Sequence, residues 1–193
     1  MVGLPFSAEQ IRCLFPLFLI LGLTLWTALV VSNYVVQTVL HTVRTRTQAE
    51  TMLKGLEDLI SNGYILDSKN KRLGIFWRLV EMCAKFRVGQ ETVLKSMRKG
   101  FGRLGQSSDE TQTSEKKNNG GAVEIKKCIP RLIRYQPPEK IGGRISLDVP
   151  GTRAVYHLLR FVPRLCGEVF DGIDTFTSEE IEELCKDGLG SRW

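Results

Sequence analysis

Residues 13–36 read CLFPLFLILGLTLWTALVVSNYVV and form a long apolar run near the start of the chain. No Lys, Arg, Asp or Glu occurs between Arg12 and Arg44. At a rise of about 1.5 Å per residue, a helix over this run is roughly 35 Å long, enough to cross a hydrocarbon layer of about 30 Å. The run therefore predicts a single-pass transmembrane helix over residues 13–40, which would serve as a signal-anchor.

This run has two other interpretations. A helix in a soluble core normally shows a polar face to water, and such a face is missing here. A cleaved signal peptide is the stronger alternative, because Val30 and Ser32 would suit a cleavage site before Asn33. The run nevertheless exceeds the usual signal-peptide length of about 7 to 15 apolar residues, which favours the uncleaved anchor.

The charges that flank the run predict its orientation. Arg44 and Arg46 follow it, whereas Arg12 precedes it together with the oppositely charged Glu9. Because loops rich in Lys and Arg stay on the cytoplasmic side, Arg44 and Arg46 are expected to set the topology. Residues 1–12 would then be a short non-cytosolic tail. The pattern predicts an integral membrane protein whose C-terminal part lies in the cytosol.

Two helices are predicted directly after the apolar run. Residues 47–62 carry apolar side chains at steps of three and four residues, and Asn62-Gly63 supplies a stop signal. Farther along, a helix over 72–87 is favoured over a hairpin across 64–76. Both helices fit core-facing roles, so neither indicates a function by itself.

Residues 88–104 complete a basic helical region that covers residues 41–104. On helical spacing one face is apolar and the other cationic, which has three interpretations. The helix could be a solvated surface helix, could lie on an anionic membrane with both faces engaged, or could bind nucleic-acid phosphates and leave its apolar face for packing. The candidate binding residues are Lys85, Arg87, Lys95, Arg98, Lys99, Arg103 and Phe101.

The last third of the chain has a different composition. Residues 105–122 are almost entirely polar or glycine and predict a flexible linker. Residues 123–193 predict a small α+β unit with an acidic C-terminal helix, so the whole chain is expected to be mostly α. Its elements would be short strands within 123–128, 132–135 and 144–149, a helix over 152–162, and a helix from the capping box at 177–180 through Lys186.

Catalytic and metal-binding motifs are missing from the sequence. The five cysteines are an odd number with wide spacing and form no CxxC or Cys/His cluster, which predicts reduced thiols, no metal and no cofactor. His157 and Cys166 could be imagined as a base and a nucleophile, but no orienting group can be assigned to them. A packed histidine and a buried thiol are the favoured interpretation, and we expect no enzyme.

These observations predict a non-enzymatic, membrane-anchored tether or adaptor. Its basic region would hold a nucleic-acid or protein partner at the cytosolic face of a membrane, with anionic lipid as another partner for the same region. The C-terminal unit could contact a further protein, and the chain could self-associate. The alternatives are a self-associating pore-forming or membrane-remodelling protein and a protein secreted after signal-peptide cleavage.

Overall fold

The computed structural model of the protein describes residues 30–67, 72–106, 123–134, 148–179 and 181–182. Seven α-helices account for most of these residues. The helices are α1 (Val30–Thr42), α2 (Arg46–Ser61), α3 (Leu73–Phe86), α4 (Gln90–Gln106), α5 (Ile125–Ile133), α6 (Val149–Leu158) and α7 (Pro163–Ile173).

Helix α2 forms where the apolar spacing predicts it. The Thr45 side chain accepts a hydrogen bond from the Gln48 backbone N–H, and the Gln48 side chain accepts one from the Thr45 backbone N–H, which completes a capping box. The helix ends at Ser61 with Asn62 as its C-cap, and Gly63 follows with a φ of 81°, a conformation that glycine adopts without strain. Its six buried residues are Ala49, Met52, Leu53, Leu56, Leu59 and Ile60.

Helix α3 lies at the centre of the molecule and packs against α1, α2, α4 and α6. Its side chains are buried over most of its circumference, as expected for a helix that is covered by neighbours rather than by water. The predicted helix over 72–87 is therefore confirmed, and the alternative hairpin is wrong. Helix α1 crosses α3 at Gly74, where an added Cβ would lie 2.6 Å from the Gln37 Nε2 atom.

Helix α4 packs its apolar face against α2. The two helices approach most closely at Gly100, where an added Cβ would lie 2.2 Å from the Ile60 carbonyl oxygen. Val93 and Met97 are fully buried in the same face. This packing gives the apolar side of α4 a protein neighbour along its length.

The C-terminal unit differs from the prediction, because it contains helices and none of the expected strands among its described residues. Residues 125–133 form α5, and residue 149 begins α6, while 135–147 lie outside the described residues. Apolar side chains at Ile125, Ile129 and Ile133 recur at helical spacing. Pro130 suggested a strand break, yet it is the sixth residue of α5, where its ring removes a single backbone hydrogen bond.

The predicted transmembrane helix over 13–40 is contradicted. Within the described ranges, no helix is both long enough and apolar enough to span a bilayer. Residues 13–29 lie outside those ranges, whereas 30–40 belong to α1, in which Val36 and Leu40 are buried and the helix packs on α3. A protein core disfavours charged side chains for the same reason that lipid does, so burial explains the lack of charge at Val36 and Leu40.

Other predictions depended on that span. The integral-membrane localisation, the single-pass topology and the signal-anchor role are contradicted together with it. The topology-setting role of Arg44 and Arg46 was inferred from their position after that span, so this inference is no longer supported. The alternative cleavage site after Ser32 lies in the first turn of α1. The predicted tail at 1–12 lies outside the described residues.

One hydrophobic cluster includes buried residues from before and after the predicted linker. Helix α6 packs on α3, and α5 packs on α4, α6 and α7. Helix α4 continues to Gln106, so the first two positions of the predicted linker are helical. Positions 107–122 lie outside the described residues. The predicted acidic helix also falls outside them beyond position 182.

Candidate anion-binding surfaces

The first candidate is the basic face of α4, defined by Lys95, Lys99 and Arg103. All three side chains are exposed. They follow one another at steps of four residues, which places them about 6 Å apart along the helix axis and on one side of it. The face lies opposite the apolar side that packs in the core. Three positive charges are therefore presented to solvent in a row.

The remaining predicted binding residues are not part of this row. Arg98 is half-buried and donates to the Glu168 carboxylate of α7. Phe101 is 4 % exposed and packs in the core, where it cannot stack on a ligand in this conformation. Lys85 stands 5.0 Å from the Phe86 ring centroid near the end of α3.

Three more predicted arginines also lie away from the row. Arg87 caps α3 in the left-handed region with a φ of 53°. Arg46 pairs with Glu50 along one turn of α2, at 3.0 Å. Arg44, like Arg46, is exposed.

Two ion pairs between α4 and α7 lie near the basic face. Glu168 on α7 forms an ion pair with Arg98, and Arg164 on α7 lies 3.7 Å from Glu91 at the start of α4. Both pairs join α4 to α7 and are at least partly exposed, so each contributes at most about 1 kcal/mol. Each pair is close to neutral as a whole, and Lys95 and Lys99 remain exposed beside them.

The second candidate is a cluster where α3 meets α6, and the sequence analysis did not identify it. Its centre is Trp77, which is 9 % exposed. The guanidinium of Arg78 lies 3.9 Å from a Trp77 ring centroid, and that of Arg153 lies 4.8 Å from it. Two guanidinium groups near one indole form cation–π contacts, which are strongest with Trp. We call this group of residues the Arg–Trp cluster.

An ion pair lies within the Arg–Trp cluster. Arg78 Nη1 donates to the Glu81 Oε2 atom at 2.7 Å, one turn farther along α3. The same Nη1 atom lies 3.4 Å from Nδ1 of His41 at the end of α1. Glu81 Oε1 lies 3.9 Å from Nε2 of His157 on α6. The pair therefore connects three helices.

His157 occupies the buried side of the cluster. Burial lowers the pKa of His157 below its ordinary value of 6.5 because it disfavours the charged imidazolium, and the positive charges of Arg160, Arg78 and Arg153 act in the same direction. The negative charge of Glu81 opposes this shift. The neutral imidazole is thus the favoured form near neutral pH.

Three buried nitrogen atoms of the cluster have no hydrogen-bond partner among the described residues. They are Trp77 Nε1, Arg78 Nε and His157 Nδ1. A buried donor without an acceptor costs about 1–3 kcal/mol, so such atoms are uncommon in folded proteins. Beside them, Arg153 and Tyr156 are exposed on one side of α6, and Arg160 is exposed just after the helix ends. The Tyr156 ring lies 5.1 Å from the His157 ring, edge to face.

The structure gives His157 and Cys166 different partners. The Cys166 thiol donates to the carbonyl oxygens of Phe161 and Leu159, at 3.2 and 3.4 Å, and burial raises its pKa. Burial also raises the pKa values of Cys83 and Cys128 to about 12. Thiols with such pKa values are poor nucleophiles at neutral pH. No group of metal-ligating side chains occurs in the part of the chain that the structure describes.

Sequence reasoning found the first surface and missed the second, because the Arg–Trp cluster combines residues of α1, α3 and α6 that lie far apart in the chain. The spacing of Arg153, Tyr156 and Arg160 on one helical face was the single local signal. Comparison with known proteins finds no matching protein family, no similar curated protein and no similar solved structure.

Proposed function

We propose that this protein is a non-enzymatic adaptor that binds the phosphate backbone of a nucleic acid through the basic face of α4. The observation that carries the proposal is that one face of this helix is buried and apolar while the other is exposed and cationic. Its apolar side chains are buried against α2, while Lys95, Lys99 and Arg103 point to solvent. A phosphate backbone needs the cations alone.

The packing of α4 favours nucleic acid over an anionic membrane. A helix that lies in a membrane surface buries its apolar face about 5–10 Å into the boundary of the lipid tails. In α4 the side chains that would do so, including Met97 and Phe101, are in the protein core. A pore-forming role needs the same side chains to leave the core.

The row of cations also suits a chain of phosphates. From Lys95 to Arg103 there are eight residue steps, which is about 12 Å of helix. A nucleic-acid strand carries one phosphate per nucleotide, so three side chains spread over this length can reach separate phosphates. The contacts would be insensitive to base sequence, because phosphates are the same at every position.

The test is the binding of the full chain to a fluorescein-labelled, single-stranded oligonucleotide, followed by anisotropy over a series of salt concentrations. Three phosphate contacts predict a slope of about −2 for log K against log salt, from about −0.7 per contact on a single strand. The combined variant Lys95→Gln, Lys99→Gln and Arg103→Gln is expected to lose this binding.

A matched control removes three exposed cations elsewhere, with Arg46→Gln, Lys54→Gln and Lys127→Gln. It has the same net charge as the first variant, so a general charge effect would weaken both equally. Retained binding in the control and lost binding in the α4 variant support the proposal. Equal affinity in the two variants would overturn it, and so would binding to phosphatidylserine vesicles without binding to the oligonucleotide.

A further inference from the structure

We propose that the Arg–Trp cluster is a second ligand site, which binds a small molecule through a phosphate monoester. It is separate from the basic face of α4 and does not depend on nucleic-acid binding there. The two surfaces share no residue. The proposal rests on the arrangement of arginines, on the charge of the cluster and on its unpartnered donors.

The arrangement of the arginines suits a tetrahedral oxyanion. Arg78 and Arg153 both contact Trp77, so their guanidinium groups are held by the same ring. Guanidinium groups offer planar pairs of N–H donors that match phosphate oxygens, and an aromatic contact keeps them ordered before a ligand arrives. Arg160 extends the group, with its guanidinium 5.9 Å from the Tyr156 ring centroid.

The charges of the cluster match a phosphate monoester. Arg78, Arg153 and Arg160 contribute three positive charges, and Glu81 is the carboxylate that faces His157 from α3. With a neutral imidazole, two positive charges are in excess. A phosphate monoester carries about −1.5 to −2 at neutral pH, which balances this excess. A carboxylate ligand would balance half of it.

The nitrogen atoms without partners place polar groups on the buried side of the cluster. Trp77 Nε1 is a donor in every protonation state, and Arg78 Nε still carries a free N–H although the Nη1 atom is engaged with Glu81. His157 Nδ1 can donate or accept, according to its tautomer. A phosphate has acceptor oxygens for such donors. The exposed Tyr156 ring lies next to His157, where it would contact the rest of the ligand.

The first experiment follows the indole N–H resonance of Trp77 in the full chain by ¹⁵N-resolved NMR. The chain has three tryptophans, so Trp26→Phe and Trp193→Phe leave the single signal of interest. Inorganic phosphate and a nucleoside 5′-monophosphate are titrated at constant ionic strength, with chloride as the reference anion. We expect a saturable shift with phosphate and none with chloride.

The two probes distinguish the source of the phosphate. Equal affinity for both supports recognition of the phosphate group alone. Tighter binding of the nucleotide supports a planar carrier that contacts Tyr156. An indole signal that moves with neither probe up to millimolar concentrations would overturn the proposal.

The second experiment replaces an exposed arginine of the site. Arg153→Gln is expected to lower phosphate affinity about tenfold or more, because a charge-assisted hydrogen bond is lost. Arg153→Lys should restore part of the affinity, since the charge returns without the planar donor pair. Arg164→Gln on α7 is the matched control, with the same charge loss outside the cluster.

Affinity that falls equally in Arg153→Gln and Arg164→Gln would mean a general charge effect and would overturn the site. Failure of this site and failure of nucleic-acid binding are distinguishable. The α4 variant with Lys95→Gln, Lys99→Gln and Arg103→Gln should keep full phosphate affinity, and Arg153→Gln should keep oligonucleotide binding.

Discussion

The basic face of α4 and the Arg–Trp cluster are both positively charged, but they differ in burial and in partners. On α4, Lys95, Lys99 and Arg103 extend into solvent. In the cluster, Trp77 and His157 are buried, and two arginines contact the Trp77 ring. The first surface is a row of flexible charges, whereas the second is an arrangement fixed by packing.

This difference indicates what each surface can recognise. Exposed cations attract any polyanion and lose affinity as salt is added. Ordered guanidinium groups beside buried donors can select the shape of one anion, and salt screens partly buried charges less. The two surfaces are therefore expected to respond differently to the same changes.

The largest effect is expected where α6 docks on α5. An added Cβ at Gly151 would lie 1.7 Å from the Leu132 carbonyl oxygen, so Gly151→Ala forces α6 away from its neighbour. Since α6 carries Arg153 and His157, the cluster should lose its geometry. We expect the free energy of unfolding to fall by about 2 kcal/mol or more in urea titrations.

The matched control is Gly167→Ala on α7, where an added Cβ meets nothing within 4 Å. It should raise the free energy of unfolding by about 0.5–1 kcal/mol, because alanine loses less conformational freedom in a helix. If Gly151→Ala proved as stable as Gly167→Ala, the close packing of α5 and α6 would be wrong.

The next effect compares the acidic partner of each surface. Glu81→Gln leaves Arg78 without its carboxylate in a partly buried site, so the free energy of unfolding should fall by about 1–3 kcal/mol. Glu168→Gln removes the more exposed partner of Arg98 and should cost less than about 1 kcal/mol.

Glu168→Gln also frees Arg98 next to the basic face of α4. The salt slope of oligonucleotide binding should become steeper by about 0.7, as one more phosphate contact is made. Anisotropy titrations measure the slope, and urea titrations measure the stability of both variants. Equal destabilisation by Glu81→Gln and Glu168→Gln would remove the contrast in burial between the surfaces.

A smaller effect concerns pH. The pKa of His157 is lowered in the folded protein, with Arg78 and Glu81 facing it from α3, Arg153 on its own helix and Arg160 just after that helix ends. As the pH falls below 6.5, the unfolded chain takes up a proton that the folded protein still excludes. The unfolded state then binds more protons, so the free energy of unfolding decreases with falling pH.

Urea titrations at several pH values measure this decrease, which should level off below the folded pKa of His157. His157→Gln should reduce the decrease. His41→Gln removes the other histidine of the chain and should retain it. If the free energy of unfolding of His157→Gln decreased with falling pH as much as that of the unmodified chain, the effect would belong to other groups.

The last effect is expected at Arg87. This residue holds a φ of 53° at the end of α3, a conformation that costs a residue with a side chain about 1 kcal/mol. Arg87→Gly should therefore raise the free energy of unfolding by about 1 kcal/mol, measured as a higher urea midpoint. Because Arg87 lies outside the row on α4, oligonucleotide affinity should stay the same. A large loss of affinity would extend the basic face to the end of α3.

The helices could be predicted from the sequence where apolar spacing and end signals agreed. In α2 the apolar positions, the stop at Asn62 and the buried side all follow from local pattern. In α5 the two signals conflicted, because Pro130 suggested a break while Ile125, Ile129 and Ile133 had helical spacing. Tertiary burial of those side chains outweighs the loss of one backbone hydrogen bond.

The basic face of α4 was predictable because it lies within one helix, whose period is known. The Arg–Trp cluster was not, since Trp77 and Arg153 are brought together only when α6 packs on α3. Val36, at the end of the apolar run, illustrates the same limit. Hydropathy measures how poorly a segment suits water, and it does not say whether lipid or protein covers the segment.

By itself the sequence determined where charge and apolar character lie along each helix, because those depend on neighbouring residues and a fixed period. Only the tertiary structure decided what covers each apolar face and which cations become buried. Val36 is covered by protein, and the apolar side of α4 is occupied by α2. Such contacts join residues far apart in the chain, and local pattern carries no record of them.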